Sequence, residues 1–214
     1  DYPACDHRLI VGPSEWTCAN TSSESSNLSV SIDVIDAESG RVSRNGVAGF
    51  TVSDATGVVG AALSPDGRRE YFVTRARRDG VDSNIALTSV DLTGEAQPHY
   101  KELDVPLGLR FASDEIVASP DSGRLYLGFV DTVSGFDTIS EVRVFDATTL
   151  KEVSALDLGG SAIDLAISNK GDHLYVLSSV SQTLAVYDAT SLALLGTVQD
   201  LGGTPARILV PRGP

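Results

Sequence analysis

The chain repeats itself, and that repetition limits its fold more than any other feature. One copy runs from Asp164 through Leu-Ala-Ile-Ser-Asn-Lys-Gly-Asp-His-Leu-Tyr-Val-Leu, then from Thr183 through Leu-Ala-Val-Tyr-Asp-Ala-Thr-Ser-Leu. An earlier copy starts at Glu115 with Ile-Val-Ala-Ser-Pro-Asp-Ser-Gly-Arg-Leu-Tyr-Leu and resumes at Glu141 with Val-Arg-Val-Phe-Asp-Ala-Thr-Thr-Leu. A third carries Ser64-Pro65-Asp66-Gly67 and then Tyr71-Phe72-Val73. The apolar run in the middle of each unit ends in an aspartate: Asp36, Asp91, Asp146 and Asp188. Units of roughly 40–55 residues, each made of several short strands, are the pattern of propeller blades.

Each unit offers four strand-like runs. The first is apolar on both faces, as at Ile163–Ile167, which suits a strand packed on both sides. A Pro/Gly/Asn turn follows. The second run is rich in Tyr, Leu and Val, which favour strands. The third ends in Asp-Ala, where the carboxylate can accept amides just ahead and open a turn. The fourth is more polar and suits an outer edge. No segment shows a sustained helical period with caps.

The Ser-Pro-Asp-Gly turn followed by Leu-Tyr-Val, and the Val-Tyr-Asp-Ala-Thr-Ser-Leu run followed by Gly202-Gly203-Thr204-Pro205, resemble the YVTN-type β-propeller repeats of bacterial and archaeal surface proteins and lactonase-like propellers. The resemblance covers residues 57–210 well and 28–56 loosely. It implies an all-β propeller; members of that family more often have about seven blades, whereas this chain has room for about four, each of four antiparallel strands. Blade one is expected at 1–56 plus 204–212, blade two at 57–108, blade three at 109–160 and blade four at 161–203. The tail Ala206-Arg207-Ile208-Leu209-Val210 reads as an inner strand without a blade of its own. Pairing it with the N-terminal blade would close the ring. The rival reading is that the chain completes a larger ring with a second propeller chain. A propeller fold alone assigns no activity.

With 29 acidic against 16 basic residues the formal net charge is −13, which repels phosphate backbones and disfavours nucleic acid and anionic membranes. No apolar stretch is long enough to span a bilayer as a helix. The sequence contains no Met, so a cleaved secretory leader is expected, with a secreted, periplasmic or cell-surface location. The two cysteines, Cys5 and Cys18, suit one local disulfide in such a compartment; free thiols are the alternative. Residues 17–29 are rich in Ser, Thr and Asn and read as a surface loop holding two formal glycosylation acceptors, Asn20 and Asn27.

Signals for catalysis are sparse. Gly-x-Ser-x-Gly is absent, and His7, His99 and His173 occupy different repeat positions. One constellation follows from aligning the inner strands on Ser64, Ser119, Ser168 and Val210. Four residues earlier stand Gly60, Glu115, Asp164 and Ala206. Glu115 and Asp164, assisted by Asp114, form a candidate metal site at the channel mouth, with Ca²⁺ as the candidate ion. The competing reading is that these acids cap backbone amides. A second candidate is a pair of long connections between second and third strands. One carries Arg75, Arg77 and Arg78; the other carries Asp131, Phe136 and Asp137. Long loops on a rigid scaffold commonly bind ligands. The expected function is therefore a non-catalytic recognition module for a protein, peptide or glycan. The alternatives are a metal-assisted hydrolase or lactonase-like enzyme using the channel acids, and a structural subunit of a larger ring.

Overall fold

The computed structural model describes residues 7–10, 15–24, 27–36, 38–39, 41–53, 55–78, 81–93, 97–105, 108–131, 138–178 and 180–210. All regular structure among them is β, every strand pairing is antiparallel, and none of the sheets closes on itself. The chain forms two compact units, Asp1–Asp104 and Val105–Pro214.

The first unit holds two four-stranded sheets, each ordered as in the sequence. One contains β1 (His7–Ile10), β2 (Glu15–Glu24), β3 (Asn27–Asp36) and β4 (Val42–Ser53). The other contains β5 (Ala55–Leu63), β6 (Arg69–Arg78), β7 (Val81–Asp91) and β8 (His99–Leu103). Strand alternation puts Leu28, Val30 and Ile32 of β3 on one face, where they pack with Phe72 and Val90 of the other sheet and with Leu92 in the turn after β7. Phe50 and Phe72 meet with ring centroids 5.2 Å apart.

Two expectations change here. The Ser/Thr/Asn-rich stretch is no loop: residues 15–24 form β2, paired with β3 from Glu15↔Asp36 to Glu24↔Asn27. Hydroxyl-rich composition resembles a loop, but threonine favours strands, and Thr17, Cys18 and Ala19 are all buried, Ala19 in the cluster that holds Phe72. The first sheet thereby has four strands without the C-terminal tail. Residues 199–210 lie in no strand, so the expected closure by a paired C-terminal strand is not seen.

The second unit is one seven-stranded sheet, ordered β15-β14-β13-β12-β11-β10-β9. Its strands are β9 (Leu109–Ala118), β10 (Arg124–Asp131), β11 (Ile139–Asp146), β12 (Glu152–Ile167), β13 (His173–Ser178), β14 (Thr183–Asp188) and β15 (Leu194–Val198). The long β12 joins two repeats. Its first part pairs with β11 through Asp157, its last part pairs with β13 from Ala162 onward, and Ala162 also stands opposite Ile139 of β11 after a register shift. Gly159 and Gly160, with φ of 65° and 78°, lie between the two parts. A side chain would strain that backbone. The core packs Tyr126, Val142 and Val144 against Leu165, Leu174 and Val176.

The repeat's turns are built from local hydrogen bonds. The Ser64 and Ser119 hydroxyls donate to Asp66 and Asp121, each at 2.5 Å, and accept the Arg69 and Arg124 amides at 2.9 and 2.8 Å. Ser168 does the same with Asp172 at 2.6 Å and the His173 amide at 3.1 Å. The repeat aspartates accept from residues two or three ahead: Asp36 from Ser39, Asp91 from Thr93, Asp146 from Thr149 and Asp188 from Ser191. Hydroxyl donors at Asp36 and Asp91, and amide donors at Asp146 and Asp188, hold all four carboxyls below the ordinary aspartate range.

Candidate functional site

Strands β9 and β12 carry Glu115 and Asp164. Asp164 is buried, and both its oxygens are engaged by the main chain. Oδ1 accepts the Leu165 amide at 3.0 Å, and Oδ2 accepts the Ile208 amide from the tail. Glu115 is half-buried beside Gly128 of β10, where an added Cβ would stand 3.1 Å from the Glu115 Cβ. The Asp114 side chain lies outside the described residues. Among the described residues no three His, Cys, Asp or Glu side chains are grouped as metal ligands. Asp164 is thus a backbone clamp in this geometry, in line with the amide-capping reading; the sequence did not point to its second partner, because the Ile208 amide is 44 residues away.

The connection carrying the arginines is a hairpin rather than a loop. β6 and β7 stay paired through Arg75↔Ile85, Ala76↔Asn84, Arg77↔Asp82 and Arg78↔Val81. The insertion has lengthened two strands, so its backbone is fixed by a ladder. Arg75 is half-buried; the side chains of Arg77 and Arg78 lie outside the described residues. In the other unit Asp131 ends β10 opposite Leu109. Phe136 and Asp137 are outside the described residues. Cys18 is buried in β2, and Cys5 is outside the described residues.

His173 shows why a Ser/Asp/His grouping here is not a nucleophile. Its Nδ1 lies 2.8 Å from Asp172 Oδ1, and the Ser168 hydroxyl donates to the same carboxylate oxygen. The carboxylate sits between serine and histidine, so the hydroxyl is bonded to Asp172 and not to the imidazole, the reverse of a Ser-His-Asp order. Ser168 Oγ also accepts two backbone amides, which fixes it as a turn brace.

Two charged residues escaped the sequence reading. Glu70 of β6 is fully buried, and neither carboxylate oxygen makes a regular hydrogen bond among the described residues. Burial pushes its pKa up to about 8, against a smaller opposing effect of the Thr17 hydroxyl on the facing sheet. Alternation could have flagged it, since Glu70 shares a strand face with Phe72. Arg143 is nearly buried, with Nε 2.5 Å from Glu141 and Nη1 3.3 Å from Glu152. Its guanidinium carbon lies 5.3 Å from the Phe129 ring centroid, a cation–π contact.

No family model matches the sequence, and no curated protein does. Among solved structures the chain is similar to a Kuenenia stuttgartiensis hydrazine synthase, with a TM-score of 0.59 and 15% identity. The likeness covers 84% of this chain and 56% of that one, so the chain spans about half the length of this neighbour. At such identity it is a likeness of fold alone.

Proposed function

We propose that the chain is a run of β-propeller blades of the YVTN-like type. It acts as a non-catalytic recognition module for a protein, peptide or glycan in a secreted, periplasmic or cell-surface setting. The observation that carries this reading is the β6–β7 hairpin. It places three of the chain's 16 basic residues, Arg75, Arg77 and Arg78, along four positions of one laddered strand, in a chain of net charge −13. A local basic segment on an acidic molecule favours acidic groups on the ligand. The ladder fixes the backbone before binding, which lowers the ordering cost.

The test compares the chain with an Arg77→Ala/Arg78→Ala variant on arrays of acidic peptides and of anionic glycans. Binding that falls at least tenfold in the variant, with an unchanged melting temperature, supports the reading. Undiminished binding by the variant, or no binding by either protein, overturns it. The same setting leads us to propose a Cys5–Cys18 disulfide.

A further inference from the structure

The geometry points to an interaction surface on the last sheet: the second face of β12–β15, together with residues 206–210, accepts a further four-stranded sheet of this repeat, with 206–210 as its inner strand. This surface is separate from the arginine hairpin and does not depend on the recognition reading.

The register defines the face. Leu165, Ile167, Leu174, Val176, Ala185 and Tyr187 pack into the unit's core. The alternate residues therefore form the opposite face. One row runs Asp164↔Leu177, Leu177↔Leu184 and Leu184↔Val198 across the four strands. The next runs Ala166↔Tyr175, Tyr175↔Val186 and Val186↔Gly196. Asp164 is the one charged residue in these rows, and both its oxygens serve the backbone. These two rows are apolar apart from Asp164, and the row beyond them on the same face, His173↔Asp188, is polar and forms its rim. The cover of this face is incomplete. β11, the equivalent strand one repeat earlier, buries Ile139, Val142, Arg143, Val144 and Phe145, while every residue of β14 is only half-buried. Val198 is 52% exposed and Leu209 85% exposed.

The tail identifies the occupant. The Asp164–Ile208 bond lays the tail beside the inner part of β12, on the face away from the core. Ile208 and Val210 are half-buried while Arg207 and Leu209 are exposed, the alternation of a strand. The sequence aligns Val210 with Ser168, Ser119 and Ser64, the residues that end the inner strands of the other repeats. An inner strand carried on the face of the preceding sheet, with its own ladder unpaired, is the start of the next sheet. A second copy or an unrelated extended peptide would need no such register.

The test extends the chain with its own repeat. Residues Ser168–Gly203 are duplicated directly after Leu209, so that 206–209 gain the three strands they lack. The chain itself and the extended chain are compared by amide hydrogen exchange, by binding of a hydrophobic dye and by light scattering. The extended chain should protect the amides of residues 206–209 at least tenfold more, bind less dye, and melt about 5 °C or more higher. Introducing Asp164→Ala into the extended chain should reduce that protection. Unprotected amides at 206–209 with unchanged dye binding would overturn the proposal. So would a dimer of the original chain whose amides at 206–209 are already protected, since a second copy would then be the occupant.

Discussion

The Tyr126 hydroxyl donates to the Ala189 carbonyl at 2.9 Å, linking the second strand of one repeat to the turn of the next. Arg124 Nη1 reaches the same carbonyl at 3.2 Å and the Thr190 carbonyl at 3.3 Å. Burial raises the Tyr126 pKa, against a smaller opposing effect of Arg124, so the phenol stays a donor through neutral pH. Tyr126→Phe removes one bond but leaves Ala189 partnered by Arg124. The expected loss is therefore at the modest end, about 0.5–1.5 kcal/mol. Urea unfolding measures it, and amide exchange of residues 188–192 should quicken. An unchanged midpoint with unchanged exchange would show that the bond contributes nothing.

Glu70 gives the molecule an unusual pH response. Its folded pKa is about 8 against an ordinary value of 4.5. Above pH 4.5 the unfolded chain releases this proton while the folded chain keeps it. Stability from this group is therefore complete below pH 4.5 and falls as pH rises toward 8. The slope approaches about 1.4 kcal/mol per pH unit. The turn aspartates Asp66, Asp121, Asp146 and Asp172 have lowered pKa values, so their contribution is present above the ordinary aspartate range and lost as pH falls below it. Maximum stability is expected near pH 4–5. Glu70→Gln should flatten the decline between pH 5 and 8 and raise the unfolding midpoint at pH 8. Equal slopes in the two proteins would remove Glu70 as the cause.

What the sequence made legible was local. The Ser119–Asp121 brace and the Asp146–Thr149 turn close within two to five residues, so the residue types at that spacing determine the bonds. Composition misled: residues 17–29 looked like a loop, yet 17–24 and 27–29 lie in β2 and β3, and Thr17, Cys18 and Ala19 are all buried. The β6–β7 insertion could have extended a loop or a ladder, and side-chain content alone did not distinguish them. The burial of Glu70 depends on the facing sheet. The role of Asp164 depends on where a distant segment lies. Alternation with Phe72 marks the face Glu70 occupies but not the sheet that covers it, and the Leu165 amide is adjacent to Asp164 while the Ile208 amide is 44 residues away.

The cysteine pair is tested by mass. With Cys18 buried in β2, a link to Cys5 would fasten the N-terminal segment to the first sheet. By chain entropy a loop of this size contributes roughly 3 kcal/mol. Reduction should add two mass units and lower the melting temperature; Cys5→Ser should lower it similarly and make reductant ineffective. Alkylation of both thiols in unreduced, unfolded protein would show that the bridge does not form.

Asp164 separates a metal site from a backbone clamp. Its oxygens already accept the Leu165 and Ile208 amides, so an ion there would have to displace one of them. A clamp predicts that a chelator leaves the melting temperature unchanged and that added Ca²⁺ does not raise it. Asp164→Ala should cost about 1–3 kcal/mol, because two amides lose an acceptor and one of them is internal to a strand. Asp164→Asn keeps one carbonyl oxygen and should cost less, with the Ile208 amide exchanging faster. A bound ion predicts the reverse order of sensitivities: stability would follow Ca²⁺ concentration by mass action, and Asp164→Asn would abolish that dependence. Melting curves of the three proteins with chelator and with millimolar Ca²⁺ decide between them. A Ca²⁺-dependent rise in the unsubstituted chain that disappears in Asp164→Asn would refute the clamp as the main role of this residue.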